Sequence, residues 1–173
     1  MKIDMAFIED ITEILHQDFS CKANCFEEKS VKMCVQVDRT GCKSTVYKYD
    51  KELKREYKGG LFPFFEKRKD VCKICDYIVF AERDRQQYVI LVELKRGSAA
   101  TMQQLLAAEL FAKYVVGTLN RVKKTAYEPN IRKVSIHGNR VRKKGTKEYG
   151  IKYDEHSHYI CQSACFYLRS YLC

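Results

Sequence analysis

The sequence contains no apolar stretch approaching the about 18 residues that a membrane-crossing helix requires. Its opening residues also lack the charged start, apolar run and small-residue cleavage site of a secretory signal. These absences argue against a membrane partner and make the cytoplasm the expected location. No linker, internal repeat or low-complexity segment interrupts the chain, so residues 1–173 are expected to form one domain. A chain of this length buries about two-thirds of its unfolded surface and needs no covalent staple. The nine cysteines are odd in number and irregularly spaced, so they do not make a disulfide framework, and in a reducing compartment they stay thiols.

What the chain does have is positive charge. Thirty-two Lys and Arg against 22 Asp and Glu leave a net charge of +10 and a pI near 9.1. Such a balance favours a polyanionic partner, nucleic acid ahead of an anionic membrane, with DNA placed before RNA. Two groups of cations are the candidate phosphate contacts. One is Lys67, Arg68 and Lys69. The other is the dense set Arg140, Arg142, Lys143 and Lys144, with Lys147 beyond it and Arg121, Lys123, Lys124, Arg132 and Lys133 before it.

The most informative stretch runs from Cys72-Lys73-Ile74-Cys75-Asp76-Tyr77-Ile78-Val79-Phe80 through a polar turn into Tyr88-Val89-Ile90-Leu91-Val92-Glu93-Leu94-Lys95-Arg96-Gly97. Two β-branched, apolar runs around residues 82–87 read as a β-hairpin, and the second run is apolar enough for a strand buried on both faces. A turn centred on Asp84-Arg85 places Asp76 opposite Glu93, although it lacks the Asn-Gly or Asp-Gly that would fix this register. Carboxylates so paired have Cβ atoms about 4.5–5.5 Å apart and repel each other unless a cation lies between them. The strand period of two puts Glu93 and Lys95 on one face.

Elsewhere, a one-sided stripe of Phe7, Ile8, Ile11, Ile14 and Leu15 predicts a first helix over residues 4–19, with Asp4 as its N-cap. Strands are expected over 30–37 and 43–50, paired as a hairpin through Arg39-Thr40-Gly41. Phe62-Pro63-Phe64-Phe65 is either a core plug or a platform for a base. Residues 99–123, rich in Ala, Leu, Gln and Glu, predict the longest helix. Strands over 131–137 and 149–153 and an aromatic-rich helix over 158–172 close the chain. Two cysteine sets have zinc-ligand chemistry: Cys72 and Cys75 with Cys34 and Cys42, and Cys161 and Cys165 with His156 and His158. Neither has a known finger spacing, and buried free thiols are the competing reading.

Asp76, then Glu93-x-Lys95 at the end of the next strand, then Gly97 and a helix, resembles the PD-(D/E)xK nuclease superfamily over about residues 45–137. Cys75 stands where that family has Pro. The resemblance implies a restriction-endonuclease-like core, α-β-β-β-α-β around a central mixed α/β sheet, with residues 138–173 as a basic loop and closing elements. It implies that Asp76 and Glu93 hold magnesium or manganese and that Lys95 orients or activates the attacking water. Gln104, next to Gln103, corresponds to the Gln of a Gln-x-x-x-Tyr motif whose Tyr is replaced here by Ala. It also raises an extra carboxylate from the first helix, Glu9, Asp10 or Glu13, with solvated surface charges as the alternative. The function expected is a metal-dependent DNA nuclease. The alternatives are a non-catalytic basic nucleic-acid-binding protein and a cysteine- or zinc-stabilised interaction protein, and a homodimer is left open.

Overall fold

In the computed structural model the described residues are 6–22, 24–30, 32–49, 65, 68, 71–97, 100–138 and 150–173. The fold is mixed α/β, built around a five-stranded sheet in the order β3-β4-β5-β6-β7. Its strands are β3 (Lys43–Tyr47), β4 (Tyr77–Arg83), β5 (Gln86–Lys95), β6 (Asn130–His137) and β7 (His158–Cys161). The first three run antiparallel, while β6 runs parallel to β5 and β7 parallel to β6. The parallel step needs a crossover, supplied by α2 (Met102–Lys123).

The apolar run of β5 is explained by its two buried faces. Val89 and Leu91, with Ile78 and Phe80 of β4, join a core against α2 and against α1 (Phe7–Ile14). Tyr88, Ile90, Val92 and Leu94 join a second core on the opposite face. That face is covered by a three-stranded sheet, β1-β2-β8, made of β1 (Cys25–Glu28), β2 (Met33–Asp38) and β8 (Cys165–Tyr167). Phe26, Val35 and Phe166 contribute its buried side chains. Helices, the large sheet and the small sheet thus form three layers. No helix among the described residues is long and apolar enough to cross a membrane.

Several expectations are corrected. The segments 30–37 and 43–50 do not form a hairpin, because β2 pairs antiparallel with β1 and parallel with β8 while β3 pairs with β4. The physical reason is burial. Neighbouring Val46 and Tyr47 of β3 serve opposite cores and suit a sheet covered on both sides, whereas β2 buries Val35 but exposes Cys34 and Gln36. The turn through Gly41, at φ 73°, therefore carries the chain between sheets. Residues 158–172 form β7, β8 and only a short α3 (Leu168–Tyr171), since their β-branched and aromatic side chains pair as strands. Residues 150–153 are not a strand; β7 lies beside β6 instead, and Tyr153 donates its hydroxyl to Tyr171 O at 3.1 Å. The first helix ends at Ile14, and Phe7 N donates to the buried Glu82 Oε1 at 2.9 Å; Asp4 lies outside the described residues. On α2, Leu106, Leu110 and Tyr114 are exposed.

The β4–β5 hairpin keeps the expected register, with Tyr77 opposite Val92 and Arg83 opposite Gln86. Asp84 and Arg85 form its two-residue turn with φ of 51° and 65°, both left-handed. Non-glycine residues in that region cost roughly 1–2 kcal/mol each, part of which glycine returns as backbone entropy in the unfolded chain. Arg85→Gly should accordingly raise the urea midpoint, by about 0.5 kcal/mol of stability, and a lowered midpoint would contradict the turn geometry.

Candidate functional site

The carboxylates converge at the end of the hairpin away from its turn. Asp76 lies one position beyond the last paired residue of β4 and so stands opposite Glu93 of β5; both are buried. Backbone donors fix them: Leu94 N donates to Asp76 Oδ2 at 2.7 Å, and Asp76 N donates to Glu93 Oε2 at 3.2 Å. Lys95 points its ammonium to Glu93 Oε1 at 2.8 Å. Burial alone would lower the Lys95 pKa, but the hydrogen bond and charge of Glu93, with the charges of Asp76 and Glu28, outweigh it and raise the pKa. The three residues expected from Asp and Glu-x-Lys are therefore brought together. Cys75 is fully buried and donates to Tyr77 O at 3.1 Å; burial first, then the charges of Glu93 and Asp76, hold its thiol well above the usual range.

Glu28, at the end of β1, is a contribution that sequence reasoning missed. Its charge acts on Lys95 and that of Lys95 on Glu28, whose carboxyl is held below its usual range mainly by a hydrogen bond from Ser30. No spacing rule links β1 to β5, because this charge effect depends on how the small sheet lies on the large one.

No protein-family model, curated protein or solved structure matches the chain.

A polar row beside the carboxylates also went unread in the sequence. Ser135 of β6 is in register with Glu93. Its Oγ lies 2.5 Å from Thr101 Oγ1, just before α2, and 2.7 Å from His158 Nε2 of β7. His158 Nδ1 lies 3.6 Å from Asp154 Oδ2, while Asp154 Oδ1 accepts from His158 N at 2.9 Å. Serine, histidine and aspartate in this order have the composition of an acyl-transfer triad, but Ser135 is fully buried and cannot meet a substrate. The row instead ties β6 and β7 to the start of α2 beside the site.

The other expected site residues are distributed as follows. Gln104 lies half-buried in the first turn of α2, and among the described residues no hydrogen bond joins it to Asp76, Glu93 or Lys95. The first-helix carboxylates are engaged elsewhere: Glu9 with Lys43 at 2.6 Å, Asp10 with the Tyr127 hydroxyl at 2.8 Å, and Glu13 with Lys123. Lys123 ends α2 whereas Thr101 precedes it, and 22 residues of helix span roughly 33 Å, so these acids belong to the far end of the molecule.

Arg68 is exposed; Lys67, Lys69, Arg140, Arg142, Lys143, Lys144 and Lys147, like Phe62-Pro63-Phe64, lie outside the described residues. Of the flanking cations, Lys133 is not a surface phosphate contact, because it is buried and paired with Glu109 at 2.6 Å. Arg132 stacks over Tyr153 at 4.8 Å. Among the described residues neither cysteine and histidine set gathers as a ligand cluster: Cys75 is buried in the core against α1 and α2 while Cys34 is exposed on β2, and Cys161 is buried while His156 is exposed.

Burial lowers the His158 pKa from 6.5, against the raising effect of Asp154. The unfolded chain therefore takes up this proton before the native one does, so the contribution to stability is full above about pH 6.5 and is lost as pH falls below it. The urea midpoint should drop between about pH 7.5 and about pH 5.5, and His158→Gln should reduce that drop. An equal drop in both proteins would show that His158 titrates freely.

Proposed function

We propose that the chain is a metal-dependent nuclease that hydrolyses phosphodiester bonds of DNA, acting in the cytoplasm. The observation that carries this reading is the buried, mutually facing pair Asp76 and Glu93, with the Lys95 ammonium 2.8 Å from Glu93. The succession of α1, three antiparallel strands β3-β4-β5, the crossover α2 and the parallel strand β6 supports a restriction-endonuclease-like core, with β1 and β2 inserted after α1.

Hard carboxylate oxygens from two adjacent strands fit magnesium or manganese, which bind through one or two carboxylates and keep water and phosphate oxygens as their remaining ligands. When bound, such an ion polarises the phosphoryl oxygen and lowers the pKa of its water. The protein groups have separate tasks. Leu94 N and Asp76 N hold the carboxylates in place, and Glu93 directs Lys95. The Lys95 ammonium positions the attacking water and offsets charge developing on the phosphoryl oxygens. Glu93 chiefly, with Asp76 and Glu28, raises the Lys95 pKa further. Exposed cations, Arg68 among them, hold the phosphate backbone.

Incubation with circular and linear DNA, with and without magnesium, should show magnesium-dependent cleavage that Asp76→Ala abolishes without unfolding the protein. Unchanged cleavage by this variant would end the assignment. Lys95→Ala should reduce the cleavage rate by roughly a hundredfold or more while nearly preserving DNA affinity, because the remaining cations carry most of the binding. A proportional loss of rate and affinity, or no cleavage by the parent protein in either metal, would identify a binding protein instead. Replacing Arg140, Arg142, Lys143 and Lys144 together by Ala should flatten the salt dependence of binding, by about 0.9 in log–log slope for each lost contact to duplex DNA. An unaltered slope would remove that segment from the interface.

A further inference from the structure

We infer that the outer face of the β1–β2 hairpin is a binding site for a thiophilic divalent cation, zinc foremost, with Cys25, Glu27 and Cys34 as its protein ligands. This inference is independent of the nuclease reading. Antiparallel pairing sets Glu27 opposite Cys34, and Cys25 lies two positions from Glu27, so all three side chains share one face. Their ligand atoms lie within 4.8 Å of one another, and among the described residues this is the one trio of metal-ligating groups so gathered. The Cys25 thiol already donates to Glu27 Oε1 at 3.2 Å. Tetrahedral zinc with bonds of about 2.0–2.3 Å needs ligand separations of roughly 3.3–3.8 Å, a short rotamer adjustment from this geometry.

The backbone beneath the trio is held firmly. Tyr77 of β4 donates its hydroxyl to Glu27 O at 2.9 Å and accepts from Glu27 N at 2.7 Å, while Lys48 Nζ donates to Glu27 O at 2.8 Å. Glu27 and Cys34 are exposed, leaving room for a water as the fourth ligand. A bound cation would displace the Cys25 proton and take over its hydrogen bond to Glu27. The chemistry also separates this site from the carboxylate pair: two sulfurs select zinc, whereas Asp76 and Glu93 offer only hard oxygens. Zinc here would clamp β1 to β2 beside Glu28, the residue whose charge reaches Lys95.

The test is cobalt and zinc titration of the full chain under a non-thiol reductant. Wild type should bind one cobalt with sulfur charge-transfer and tetrahedral d–d bands, and zinc should displace it. Cys25→Ser and Cys34→Ser should each weaken binding about a hundredfold or more, Glu27→Gln should weaken it less, and Cys72→Ser should bind as wild type. Should a serine variant fail to fold, alkylation of wild type decides: zinc should protect Cys25 and Cys34 from a maleimide while the exposed Cys72 and Cys173 stay reactive. Absence of tetrahedral cobalt bands, wild-type binding by Cys34→Ser, or no zinc protection of Cys25 and Cys34 would overturn the site. So would a Cys25–Cys34 disulfide forming readily in a chain that binds no metal, which would mark a redox pair instead.

Discussion

The register of β4 against β5 is the constraint on which the rest of the structure depends. Every side chain from Tyr77 to Ala81 and from Tyr88 to Leu94 is buried, with alternate residues committed to opposite cores. A slip of one residue would send the helix-facing set into the small sheet and the sheet-facing set into the helices, so burial on both sides enforces what the turn sequence only weakly encodes. Asp84 and Arg85 accept left-handed backbone as a consequence. The same register brings two carboxylates face to face one step beyond the paired residues, where their backbone hydrogen bonds close the end of the ladder.

Elements with strong local signals were legible in the sequence. Helix α2, strands β4, β5 and β6, and the convergence of Asp76, Glu93 and Lys95 follow from apolar runs, helix-forming composition and a period of two. The small sheet was not legible in full. Strand β1 has four residues and buries Phe26, and β8 has three and buries Phe166, too short a pattern for alternation to register. Their pairing joins residues 25–28, 33–38 and 165–167, contacts that no local pattern encodes. Glu28 and the linkage of Thr101, Ser135 and Asp154 to His158, which was read only as a zinc-ligand candidate, were missed for the same reason: they gain meaning only when distant strands become neighbours.

The small sheet does more than cover an apolar face. Tyr77 follows Asp76 directly, and its hydroxyl is locked onto the backbone of Glu27, so β1 is fixed relative to the strand that carries the first carboxylate. Glu27 faces the two thiols while its neighbour Glu28 acts on Lys95. Adjacent residues of one strand point to opposite faces, and β1 thereby addresses two different sets of charges with consecutive glutamates. A clamp on the outer face would limit motion of Glu28 without touching the carboxylate pair.

Charge accounting gives the carboxylate pair its chemical character. In their charged forms Asp76 and Glu93 would set two negative charges against the single ammonium of Lys95, with Glu28 adding another negative charge, all within a protein whose net charge is +10. Backbone N–H groups stabilise buried carboxylates but carry no net charge, so hydrogen bonds alone leave the site locally anionic. A phosphodiester, the proposed substrate, is itself an anion, and surface cations would not remove repulsion at the point of contact. Asp76 and Glu93 would hold a divalent ion whose charge would reverse the sign of that contact, and Lys95 supplies further positive charge on the same face. On the proposed nuclease reading the two buried acids serve catalysis, since neutral donors in their place would suit phosphate binding alone.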